Sequence, residues 1–182
     1  MRDFILTLLL FYIPTKAFAF EAYSGVIVNV EPQLQIELSD KRIMNLTTSN
    51  PAIFDDILRL NLGDVLHFQG TTRKDCVFVT LFENIQIYSL QGTWQSHLWH
   101  FFKFSFPNEL TIDRPSIGSS AAPTIYSYTI YPGSNDSWSI ILTNEEETRV
   151  GTIRVNFNQA ELKIYPKVPE YGEEVFHLHR IQ

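Results

Sequence analysis

Cys76 is the only cysteine in the 182 residues, so no disulfide can form within the chain. Small secreted animal domains are usually stapled by several, and their lack here favours a bacterial envelope over a eukaryotic secretory route. Positive charge is also scarce. Fourteen Lys and Arg stand against 20 Asp and Glu, giving a formal charge of −6 and an isoelectric point near 5.3. Binding to nucleic acid draws on a basic surface that displaces counterions from phosphates, so nucleic acid is not an expected partner. Also missing are a Gly-x-Ser-x-Gly elbow, a phosphate loop, a dinucleotide fingerprint and a His-Glu-x-x-His pair. The common hydrolytic and cofactor signatures are thereby excluded, and no cofactor is expected.

Long apolar runs are lacking too. The strongest, Phe4 to Ile13, has ten residues against the roughly 20 that a membrane-spanning helix needs. Arg2 precedes it, Pro14 breaks it, and Ala17-Phe18-Ala19 supplies the small-x-small pattern at which signal peptidases cut. Residues 1–19 are therefore predicted to be a signal peptide cleaved after Ala19. The product is expected to be periplasmic or secreted, with no stable membrane insertion. Asn45-Leu46-Thr47 and Asn135-Asp136-Ser137 match a glycosylation triplet that carries no meaning in most bacteria.

What is present is abundant apolar and aromatic volume: 45% hydrophobic residues, with 14 Phe and 8 Tyr. That is enough for packed cores and argues against wholesale disorder. Residues 20–89 read as a first module. Tyr23 to Val30 is rich in β-formers, Leu34 to Leu38 alternates with period two, and Ile43 to Leu46 follows after the turn Ser39-Asp40-Lys41. Asn50-Pro51 predicts a helix cap with proline at the first helical position; Ile53, Ile57 and Leu60 share a face, and Gly63 closes the segment. Asp64 to Gly70 resumes the β pattern. Cys76 to Tyr88 predicts a long strand with Val77, Val79, Leu81, Ile85 and Ile87 on its apolar face, and Cys76 itself reads as a small buried residue.

Three strands, a capped helix and two further strands form the element order of an OB-fold. The segment Leu62-Gly63-Asp64-Val65-Leu66-His67-Phe68-Gln69-Gly70 resembles the Gly-Asp-x-Val-x-x-x-Gly entry into the fourth strand of many OB domains. The resemblance implies a binding face on strands two and three, open to oligonucleotides, oligosaccharides or proteins. Glu37, Asp40, Lys41 and Arg42 mix charge signs there, without the basic surface and stacking aromatics of a nucleic-acid face. A structural or protein-binding OB module is expected.

Residues 90–182 read as a second module of short strands separated by turn chemistry such as Pro132-Gly133-Ser134-Asn135-Asp136 and Asn144 to Glu147. Trp94 opens the first strand. Leu98 to Phe106, Leu110 to Asp113, Thr124 to Tyr131, Trp138 to Thr143, Thr148 to Val155, Leu162 to Tyr165 and Glu174 to Ile181 complete eight. Eight strands with short connections close into an up-and-down barrel without exposed edges. Gly92-Thr93-Trp94 at its start and Phe176-His177-Leu178-His179-Arg180-Ile181 at its end resemble the lipocalin-like small barrels of bacteria. That resemblance implies Trp94 packed across the closed end with Arg180 against it. The fold class expected is all-β: a five-stranded OB-like barrel with one helix, then an eight-stranded small up-and-down (lipocalin-like) barrel.

Trp99, Phe102, Phe104, Tyr128 and Trp138 are the candidate lining of an aromatic ligand cavity in the second barrel, against a filled core or a domain interface. Residues 115–123 form the most flexible-looking stretch, a lid over the mouth or a plain loop. His177 and His179 alternate onto one strand face and are the candidate metal pair, with one of His97 and His100 able to join them by strand parity. Glu145-Glu146-Glu147 reads as a solvated turn. The function expected is an exported, non-catalytic binding protein of the bacterial envelope for a protein, glycan or small apolar ligand. The alternative is an envelope hydrolase or metal-binding protein with a scattered site of the Asp136, Ser137 and His177 kind. No nucleophile is flanked by an activating pattern, which favours the binder.

Overall fold

A computed structural model describes residues 20–115, 122–133, 136–166 and 172–181. Residues 1–19, predicted as a signal peptide, and the centre of the 115–123 loop lie outside the described residues. The first barrel contains β1 (Glu21–Asn29), β2 (Gln35–Leu38), β3 (Ile43–Thr47), α1 (Pro51–Ile57), β4 (Val65–Arg73) and β5 (Cys76–Gln86). Around it the strands run β1-β2-β3-β5-β4 and close back on β1. Only β3 and β5 pair in parallel, as a crossover through α1 requires. A short 3-10 turn, Tyr88–Leu90, leads into the second barrel. Its strands are β6 (Gly92–Ser96), β7 (Phe101–Ser105), β8 (Glu109–Asp113), β9 (Thr124–Pro132), β10 (Trp138–Thr143), β11 (Thr148–Asn156), β12 (Gln159–Ile164) and β13 (Glu174–Arg180). Each pairs antiparallel with the next, and β13 closes on β6.

The period-two patterns put Ile27, Ile36, Leu66 and Phe68 inside the first barrel and Phe102, Leu110, Ile140 and Leu162 inside the second. These and the other buried apolar side chains form one hydrophobic core cluster. Three local expectations need correction. The helix stops at Ile57, with Asn50 accepting the Ala52 amide as its cap, although Ile53, Ile57 and Leu60 are buried as expected. The long β5 does not keep one parity: two register shifts against β4 insert extra residues, so Leu81 faces out while Phe82 turns in. The strand expected from Leu98 begins only at Phe101, because Ser96 to His100 form a turn in which Trp99 takes a φ of 61°.

Gly151 on β11 shows how closely the second barrel is drawn together. A Cβ there would stand 2.0 Å from the Lys163 carbonyl oxygen on β12, so alanine forces the two backbones apart. Gly151→Ala is expected to cost about 1–3 kcal/mol, measured by chemical denaturation.

The barrels meet along β5 and β9, and the side chains of Arg59, Asp64 and Arg180 order the junction around them. Arg59, just past α1, donates to the carbonyls of Ser137 (2.8 Å) and Gly133 (3.2 Å), pairs with Asp56, and lies 4.1 Å over the Trp138 ring. Asp64, fully buried, accepts the amides of Asn61 and Tyr88, each at 2.8 Å. Arg180 stands 4.4 Å over the Trp94 ring and donates to the carbonyls of Gln91 (2.7 Å) and Ser89. Trp94 Nε1 donates in turn to Leu90 O at 2.8 Å. The Trp94–Arg180 contact implied by the sequence is thus in place at the end of the barrel facing its neighbour.

Candidate functional site

An apolar groove of about 550 Å³ opens on the first barrel, between α1, the β1–β2 connection, the end of β3 and the start of β5. It exists because β3 and β5 pair over only three residues, Asn45–Thr47 with Cys76–Phe78, and α1 is laid across the gap. Buried Leu46, Ile57 and Leu60 lie along it. Phe54, Leu58 and Val30 are 50%, 68% and 43% exposed around it, an unusual grouping of large apolar side chains. Asn45, Thr47 and half-buried Cys76 supply polarity. Asn45 ends an amide ladder on the outer face: Asn29 Nδ2 donates to Gln35 Oε1 (3.4 Å), and Gln35 Nε2 to Asn45 Oδ1 (3.3 Å).

Sequence reasoning passed over Phe54 and Leu58. The signal was present, because they stand four apart on a segment whose other face, Ile53, Ile57 and Leu60, already supplies the core. A short helix apolar on both faces cannot bury both against one barrel. Cys76 was read as buried and instead lies half-buried in the groove.

The expected aromatic lining of the second barrel divides. Phe102, Phe104, Tyr128 and Trp138 are buried and packed: Phe102 lies 5.0 Å from Phe176, and Phe104 meets Tyr128 edge-on at 5.6 Å. Burial raises the Tyr128 hydroxyl above its ordinary pKa, against the lowering effect of its hydrogen bond from Gln91 Nε2 (2.9 Å). Trp138 closes the junction under Arg59. Trp99 does not join them. It sits 70% exposed in the β6–β7 turn, where Ser96 Oγ accepts the amides of Leu98 (3.3 Å) and His100 (3.2 Å).

At the far end of this barrel a charged cluster lines a shallow cavity of about 300 Å³. Arg149 pairs with Glu174 (2.6 Å) and Glu147 (3.8 Å), Arg114 reaches Glu174 (3.8 Å), and the Tyr126 hydroxyl donates to Glu147 (2.8 Å). Glu147, expected in a solvated turn, therefore belongs to an ion-pair network. The Glu174 hydrogen bond raises Arg149 above its ordinary pKa, while burial and then the Arg114 charge lower His100.

His177 and His179 face outward from β13 and, with His97, line a polar groove of about 570 Å³ on the barrel wall. His100 lies elsewhere, against Phe176, and His97 stands in the turn after β6. No group of three or more His, Cys, Asp or Glu is placed to hold a metal among the described residues. His177 Nδ1 lies 3.5 Å from Glu161. Asp136 and Ser137 are not brought to His177 either. They precede β10, three strands from β13 in the sheet, about 14 Å away.

No known family, curated protein or solved structure matches this chain.

Proposed function

We propose that this is an exported, non-catalytic binding protein of the bacterial envelope, and that it takes up an apolar segment of a partner protein in the groove under α1. The observation that carries this is the clustering of Phe54, Leu58 and Val30 in solvent around a groove with apolar residues along it. Exposed apolar patches rimmed by polar groups mark interaction sites. The OB-like arrangement supports the same choice, since the β1–β2 connection and β3 border the face on which such barrels bind. The amides of Gln35 and Asn45 beside the groove suit the backbone of an extended peptide. A small apolar ligand inside the second barrel is the weaker alternative, because Phe102, Phe104 and Tyr128 already pack that space.

Selection from a displayed random-peptide library is expected to yield segments with at least two large apolar side chains. The Phe54→Ala/Leu58→Ala variant is expected to weaken their binding by about tenfold or more. Its stability should change by less than about 1 kcal/mol, because both side chains are largely exposed. Peptides whose binding survives the double substitution would place the binding surface elsewhere.

A further inference from the structure

The outer wall formed by β11, β12, β13 and β6 differs in charge from the rest of the molecule. Its outward positions carry Arg154 and Lys163 against the single acid Glu161, together with His177 and His179; His97 follows directly after β6. With neutral histidines that wall is +1 in a chain of −6. The flanking strands do not reverse it: β7 adds Lys103, and β10 has no charged residue. A chain that is acidic as a whole is not suited to wrapping a polyanion, but a local face of opposite sign is suited to one charged segment.

Strand register sorts these side chains into two adjacent rows. Arg154 pairs with Glu161 and Glu161 with His177, giving a row of charged and chargeable groups. Two residues along each strand, Asn156 pairs with Gln159, Gln159 with His179 and His179 with Gln95, giving a row of amides and imidazole. The rows run about 7 Å apart, and four strands carry the second across about 14 Å. Amide side chains both donate and accept, as vicinal hydroxyls require, while arginine and protonated histidine make charge-assisted hydrogen bonds to carboxylates. The concavity of about 570 Å³ over these rows is large enough to seat a short chain of sugar rings.

We propose that this groove binds an acidic oligosaccharide, with the ring hydroxyls on the Asn156–Gln159–His179–Gln95 row and the carboxylates on the row of Arg154 and His177. Glu161 opposes the ligand's charge, and its links to Lys163 (3.3 Å) and His177 (3.5 Å) hold it within the charged row. The groove lies on the other barrel from the one under α1 and does not depend on it.

The test is calorimetric titration of the intact protein with a short oligogalacturonate, a neutral malto-oligosaccharide and inorganic phosphate. Oligogalacturonate is expected to bind about tenfold more tightly than the neutral sugar or inorganic phosphate. His177→Gln/His179→Gln is expected to weaken that binding several-fold, and Glu161→Gln to tighten it. Neither should alter peptide binding at Phe54 and Leu58. No oligogalacturonate binding, or binding indifferent to both variants, would overturn the proposal. Equal binding of inorganic phosphate or the neutral sugar would also overturn it.

Discussion

Arg59→Ala is expected to lower the stability of the whole chain by about 3 kcal/mol. Three losses combine. The guanidinium no longer stacks on Trp138, the carbonyls of Ser137 and Gly133 lose their donor, and Asp56 is left buried without its partner. Burial already raises the Asp56 carboxyl above its ordinary pKa, and Arg59 opposes that rise, so removing the arginine leaves the desolvation cost uncompensated. Arg59→Lys is expected to recover only part of the loss, because an ammonium lacks the planar fork that serves two carbonyls and a ring together. Denaturant unfolding followed by tryptophan fluorescence and by far-UV circular dichroism checks both. The native chain should unfold in one transition by both probes. A loss below about 1 kcal/mol for the alanine variant would mean that the barrels do not depend on this contact.

Asp64 governs the second large effect, and its size changes with pH. The carboxylate is pushed up to about 6 by burial, with the amides of Asn61 and Tyr88 pulling the other way. The folded state therefore binds a proton more readily than the unfolded chain, whose aspartate has the ordinary value near 3.8. The stability this group contributes is fully present below that ordinary value and is lost as pH rises through about 6. Between pH 7.5 and 4.5 it should add about 2 kcal/mol to the native chain relative to Asp64→Ala. The alanine variant is expected to be less stable at neutral pH as well, by about 2 kcal/mol, because two amides at the barrel junction lose their acceptor. Denaturant titrations of both chains across that pH range supply the comparison. A constant difference would contradict the assignment of the titrating group.

Much of the architecture was legible because the physics that sets it is local. Period-two alternation marked the buried face of β2, and Asn50-Pro51 marked the start of α1. Regularly spaced turn residues gave the eight strands of the second barrel. The failures came where alternation is interrupted. The extra residues in β5 are set by its pairing with β4, which no pattern within β5 reports, so Leu81 was assigned to the wrong face. Trp99 was assigned to a strand because its neighbours are strong β-formers, while Ser96, which caps the turn, gave too weak a signal.

The candidate sites were less legible for the same reason. His177 and His179 could be grouped from parity alone, which left His97 and His100 as alternatives. The groove under α1 depends on how the helix crosses the short β3–β5 pairing, a tertiary relation between segments some 30 residues apart. Arg59 likewise looks in the sequence like an ordinary basic residue after a helix. Only the docking of the second barrel gives it Trp138 and two carbonyls.

Cys76 offers the most direct measurement on the binding groove, because it lies within it and is the sole cysteine. The rate at which a thiol reagent alkylates it is to be compared in the purified protein alone and in the presence of a saturating selected apolar peptide. Occupation of the groove should slow the native protein several-fold and leave Phe54→Ala/Leu58→Ala unaffected at the same peptide concentration. An equal rate with and without bound peptide would contradict binding under α1.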